Sequence, residues 1–99
     1  KERNAIAKDG ILLVVLPMDK ITRKITGPPK LISRGFVDAV EANALYPNAS
    51  QVVFESLKKD GKFPEQRDQL DSRVRNALVK YLYQQTGKSP MIIPVCIDV

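Results

Sequence analysis

With 99 residues, 43% of them hydrophobic and 27% charged, the chain has the composition of an ordinary globular domain, which argues against disorder and against a membrane-spanning class. Histidine is absent and cysteine occurs once, at Cys96, so neither a Cys/His zinc site nor histidine acid–base or triad chemistry can be assembled from these residues. The formal net charge of +5 is compatible with a polyanionic partner.

A chain of this length is expected to form a single domain that buries roughly two-thirds of the surface its unfolded form exposes. One cysteine makes no internal disulfide, which fits a reducing compartment, and Cys96 reads as a small buried hydrophobe. The longest apolar run, Ile11 to Met18, is far too short to span a bilayer, and no signal-peptide pattern is present. Opening on Lys1, Glu2 and Arg3 without an initiator Met, the sequence is expected to be an excised piece of a longer polypeptide.

Residues 1–8 read as the tail of an interdomain linker, closed by Asp9 and Gly10, and residues 9–99 as the domain itself. Ile11 to Leu16 is apolar at every position and rich in β-prone residues, the pattern of a central strand covered on both sides. After a polar turn over 19–23, Lys24 to Thr26 begins a returning strand. Gly27, Pro28 and Pro29 interrupt it by removing two backbone donors, and Leu31 to Val37 resumes it, which places it at a sheet edge.

A first helix is expected to start between Asn43 and Asn48, because Pro47 is tolerated best in an opening turn. Leu45, Ala49, Val52, Val53 and Leu57 form its apolar stripe, Lys58 and Lys59 suit its last turn, and Gly61 is the expected stop. Pro64 opens a second helix of ~34 Å that runs to about Thr86. Its stripe is Leu70, Val74, Ala77, Leu78, Tyr81 and Leu82, and the rest of the chain is expected to pack on it. Gly87, Lys88 and Pro90 end that helix, and Met91 to Val99 forms a last strand.

The order is strand, strand, helix, helix, strand, an α+β fold with two antiparallel helices on a three-stranded mixed sheet. The last strand should run parallel to the first, leaving the Ile11 strand in the middle.

Two helices cover only one face of such a sheet, yet both faces of the inner strands are apolar. The residues assigned to the uncovered face are Leu12, Val14 and Leu16, with Ile92 and Cys96 beside them. A whole apolar stripe left in water marks an interaction site, here with another domain or a second copy. Phe54, Val79 and Tyr83 lie off the buried stripes of their helices and are candidates for a further contact, although single exposed apolar residues are ordinary.

Between Asp19 and Gly35 the basic residues Lys20, Arg23, Lys24, Lys30 and Arg34 face Asp19 alone. Such a cluster can meet RNA phosphates, and lysines on an edge strand also guard against edge-to-edge aggregation. No Walker loop, Gly-x-Gly-x-x-Gly fingerprint or paired carboxylate site is present, and Ser33 has no base to activate it. The residues therefore supply no catalytic, metal or cofactor site.

Taken in order, Asp9-Gly10-Ile11-Leu12-Leu13-Val14-Val15, Gly27-Pro28, Leu31-Ile32-Ser33-Arg34-Gly35-Phe36-Val37, Arg75-Asn76-Ala77-Leu78-Val79-Lys80-Tyr81-Leu82-Tyr83 and Pro90-Met91-Ile92-Ile93-Pro94-Val95 resemble the C-terminal domain of the ribonuclease J family. The resemblance spans nearly the whole chain from Asp9 to Val99. It implies a cytoplasmic parent with a metallo-β-lactamase fold and an inserted β-CASP domain, processing and degrading RNA at a two-metal, typically zinc, centre. The ligands of that centre belong upstream, so the resemblance carries no catalytic, metal or cofactor role to any position here. It also implies contact with the parent's own catalytic domains, assembly into a dimer or tetramer, and a contribution to full activity. The alternative is a basic module that delivers RNA to the catalytic body.

Overall fold

The computed structural model describes residues 9–22, 24–58 and 67–99. The linker assigned to residues 1–8, together with Arg23, Lys59, Gly61 and Pro64, lies outside the described residues. Strand β1 (Ile11–Met18) is central, with β2 (Lys30–Arg34) antiparallel on one side and β3 (Met91–Asp98) parallel on the other. Helices α1 (Ala39–Leu57) and α2 (Arg67–Thr86) pack against each other, antiparallel, on one face of this sheet. The element order and the mixed sheet are those the sequence predicts.

The core forms where the inner sheet face meets the helix stripes. Leu12, Val14 and Leu16 of β1 meet Ala49, Val53 and Leu57 of α1 and Leu70, Val74, Leu78 and Leu82 of α2, with Leu31, Phe36 and Ile92 completing the layer. At about 25 cal/mol per Å² of apolar surface, each fully buried Leu or Val contributes roughly 1.5–3 kcal/mol before conformational entropy is counted. This burial is what fixes the helices to the sheet.

Two element boundaries differ from the sequence expectation. Helix α1 begins at Ala39, well before Asn43, and carries Pro47 in its interior. Asp38 starts it: the Asp38 carboxylate accepts the Glu41 N–H at 2.8 Å, and Glu41 reaches back to the Asp38 N–H at 3.5 Å, a reciprocal capping box. That cap, with the apolar stripe behind it, outweighs the hydrogen bond that Pro47 removes. At its other end no basic residue lies in the last turn; Lys58 is the C-cap itself.

Strand β2 stops at Arg34 and does not continue to Val37, because Gly35 turns into the left-handed region at φ 73° and lets Phe36 fold down into the core. Before β2, Ile25 makes only an isolated bridge to Met18, so the Gly-Pro-Pro segment separates it from the strand proper. Gly10, at φ 82°, lies so close to this turn that a Cβ there would sit 2.3 Å from the Arg34 carbonyl oxygen. Lys88 donates to the Phe36 carbonyl at 2.9 Å and Asp9 accepts from the Ser89 N–H at 2.9 Å, tying the entry to β3 to the same end of the sheet.

Candidate functional site

Side chains alternate across a strand, and the registers of the two ladders fix which residues share the outer face. Ile11, Leu13 and Val15 of β1 are opposite Arg34, Ile32 and Lys30 of β2, and opposite Met91, Ile93 and Val95 of β3; Pro17 continues the row opposite Ile97. The face away from the helices is therefore an apolar field centred on Leu13 and bordered on the β2 side by Lys30 and Arg34. None of its members is buried: Ile32 is 37% and Ile97 43% exposed, and the central residues are half-buried.

An uncovered apolar face is thus present, as expected, but in the opposite phase. Leu12, Val14 and Leu16 are fully buried and Ile92 is nearly so, because these are the side chains that meet the helices. They belong to the core and are not available for contact. Cys96, opposite Leu16, is half-buried on the same inner side and packs against the core. Phe54 also packs partly against the core, with Lys58 Nζ 5.8 Å from the centre of its ring. Val79 and Tyr83 stand clear, at 47% and 60% exposed.

Of the basic candidates, Lys20, Lys24, Lys30 and Arg34 are all exposed, and Arg23 lies outside the described residues. Lys30 and Arg34 border the open face from the edge strand, while Lys20 and Lys24 belong to the β1–β2 connection. That connection is set by Asp19, whose Oδ1 accepts the N–H groups of Ile21 and Thr22 at 2.8 Å each. The Thr22 and Ile21 amides together hold the Asp19 carboxyl below the usual carboxylate range.

Among the described residues no group of three or more His, Cys, Asp or Glu side chains comes together as metal ligands do. No helix among them is long and apolar enough to cross a membrane. The basic border, Lys30 and Arg34, was among the residues the sequence singled out, whereas the apolar residues of the open face on β1 and β3 were missed individually. Strict alternation was no guide, since Ile11 to Leu16 is apolar in both phases.

Fold and face together define a two-layer α+β domain with one sheet face roofed by helices and the other, among the described residues, open. A family model described as the ribonuclease J C-terminal domain matches residues 1–99, and the chain belongs to that family. Among curated proteins it is 32% identical over 100 residues to ribonuclease J2 of Bacillus subtilis, a match that covers 100% of this chain and 18% of the relative. Ribonuclease J 2 of Staphylococcus saprophyticus and of Staphylococcus aureus match at 32% and 31% over 102 residues, again covering 100% of this chain and 18% of each relative. The chain therefore spans less than a fifth of the length of these relatives.

Proposed function

We propose that this domain serves a ribonuclease J-like, metal-dependent enzyme of RNA processing and decay as its assembly element, with no active site of its own. The catalytic centre, its zinc ions and the 5′–3′ exonucleolytic or endonucleolytic chemistry then reside in the metallo-β-lactamase and β-CASP portion of the longer cytoplasmic protein. The domain holds two or four copies of that protein together, contacts its catalytic domains and thereby supports full activity.

The observation that carries this reading is the open sheet face. Leu13, Val15, Ile32, Ile93 and Val95 form a continuous apolar surface that neither of the two described helices covers. Covering a few hundred Å² of such surface is worth several kcal/mol at about 25 cal/mol per Å², and a protein that left it wet would carry an aggregation liability. The family membership supports the reading, because the relatives are named as ribonucleases.

The test is a Leu13→Glu, Ile93→Glu double variant of the longer protein. Sedimentation equilibrium is expected to show the wild type as an oligomer and the variant as smaller species, with RNA cleavage reduced alongside. A wild type that is monomeric throughout, or a variant of unchanged mass, contradicts the proposal. A second reading, RNA delivery, draws on the exposed Lys20, Lys24, Lys30 and Arg34. Under it, reversing these charges weakens RNA binding and flattens its salt dependence while the mass stays the same.

A further inference from the structure

The two edges of the sheet are finished differently. The Met91 N–H donates to the Gly10 carbonyl and the Val99 N–H to the Met18 carbonyl, each at 2.9 Å, so even-numbered residues of β1 turn their backbone groups toward β3. Odd-numbered ones turn toward β2, as the Thr26 N–H on the Pro17 carbonyl at 3.0 Å shows. In an antiparallel ladder the residues paired across those groups exchange both bonds, and their neighbours point away. On β2, Lys30, Ile32 and Arg34 are therefore the bonded positions, and Leu31 and Ser33 direct their backbone groups outward.

At the β3 edge the outward positions include Ile92 and Pro94. Arg75 Nε donates to the Ile92 carbonyl at 3.3 Å, and Pro94 has no N–H to offer, so this edge is blunted. At the β2 edge, Arg34 Nη1 occupies the Ser33 carbonyl at 3.3 Å. The Leu31 N–H and C=O and the Ser33 N–H meet no partner among the described residues.

Helix α1 runs beside this free edge and is pinned to it twice. The Tyr46 hydroxyl bonds the Ser33 hydroxyl, and Ser50 Oγ donates to the Pro29 carbonyl at 2.6 Å. Between strand and helix lies a groove of about 310 Å³ whose walls include Lys30, Leu31, Ala42, Asn43 and Pro47. Pro47 has no N–H for the Asn43 carbonyl, so this wall of the groove also carries an acceptor without its helical donor.

A free strand edge flanked by a helix is the geometry in which a domain accepts an extended peptide as an added strand: main-chain bonds hold it, and a side chain drops into the groove. Among the described residues Lys30 is the charged one lining the groove and no acidic one lines it, with Arg34 exposed further along the same strand. We infer that the groove between β2 and α1 takes an extended, acidic segment of a partner protein, which pairs with the backbone of Leu31 and Ser33. The same lysine that repels an apolar or basic edge selects a carboxylate. The free backbone of Leu31 and Ser33 and the groove behind it lie apart from the apolar field centred on Leu13, although Lys30 and Arg34 border both, so the site of binding tells the two readings apart.

The test titrates a blocked hexapeptide of alternating glutamate and valine into the ¹⁵N-labelled chain, with the alternating lysine and valine peptide as control. With so few main-chain bonds on offer, binding is expected in the range of about 0.1–1 mM. The largest amide shifts should fall at Leu31 and Ser33, with slowed hydrogen exchange at both. Lys30→Glu, on an exposed side chain, is expected to weaken the acidic peptide about tenfold and to favour the basic one. Ala42→Trp, which fills the groove, should abolish binding of either. Equal binding of the two peptides by the wild type, no binding of the acidic one at millimolar concentration, or largest shifts at Leu13, Val15 and Ile93 would each overturn the inference.

Discussion

On β1, Leu12, Val14 and Leu16 are fully buried beneath two helices, whereas Ile11, Leu13 and Val15, one residue out of step and just as apolar, stay half-buried on the open side. Residue type does not separate these sets; the helices do. The inner set holds the fold together, and the outer set is left over from it. The comparison teaches that a strand apolar at every position can answer two demands at once, its own core on one face and a second surface on the other.

Truncation separates the two faces most sharply. Leu12→Ala should cost about 2–5 kcal/mol, from lost burial and the cavity left behind, whereas Leu13→Ala should cost less than about 1 kcal/mol because its site is partly solvated. Urea denaturation of both variants checks this. Similar losses at the two positions would mean that the open face is as necessary to the fold as the core.

The roof can be strengthened without touching the open face. Pro47→Ala restores a backbone donor within α1 and relieves the proline ring's clash with the preceding turn, so denaturation midpoints should rise by the equivalent of about 1–3 kcal/mol. Asp38→Ala should do the reverse, removing the cap of the same helix for about 1 kcal/mol, read by the same denaturation. Both should change stability while leaving the mass of the longer protein unaltered, which is how roof-side and open-side variants are told apart.

Asp19 gives the smallest effect. Its folded carboxyl titrates below its ordinary value, held there by the Thr22 and Ile21 amides. The stability it contributes is therefore present above that value and fades as pH falls through the lower, folded one. Acid titration of the wild type against Asp19→Asn should show a small difference at neutral pH that begins to fade below about pH 4 and is lost only once the pH has passed the lower, folded value.

Much of the fold was legible in the sequence because its signals are local and agree with one another. The continuous run from Ile11 marked the central strand, the four-and-three spacing from Leu70 to Leu82 marked α2 and its buried side, and paired prolines marked the edge strand. The start of α1 was legible in principle, since Asp38 stands three residues before Glu41, but Pro47 is the louder signal and points to the wrong turn. The phase of β1 could not be read, because alternation carries no information when both phases are apolar. It is set instead by the register with β2 and β3, in which Arg34 and Lys30 stand opposite Ile11 and Val15 and keep that face toward water. The groove beside β2 was invisible for a related reason: it exists only where Pro29 to Ser33 and Ala42 to Ser50, far apart in the chain, are brought together.

The most direct check on the open face as a buried contact is oxidative footprinting of the longer protein by mass spectrometry, with the 99-residue chain as the reference. Met91, Leu13 and Ile93 are expected to be oxidised readily in the chain alone and several-fold more slowly in the assembled protein, while Tyr83 on α2 changes little. Equal oxidation of Met91, Leu13 and Ile93 in both would show that face in open water in the complete molecule and contradict the account.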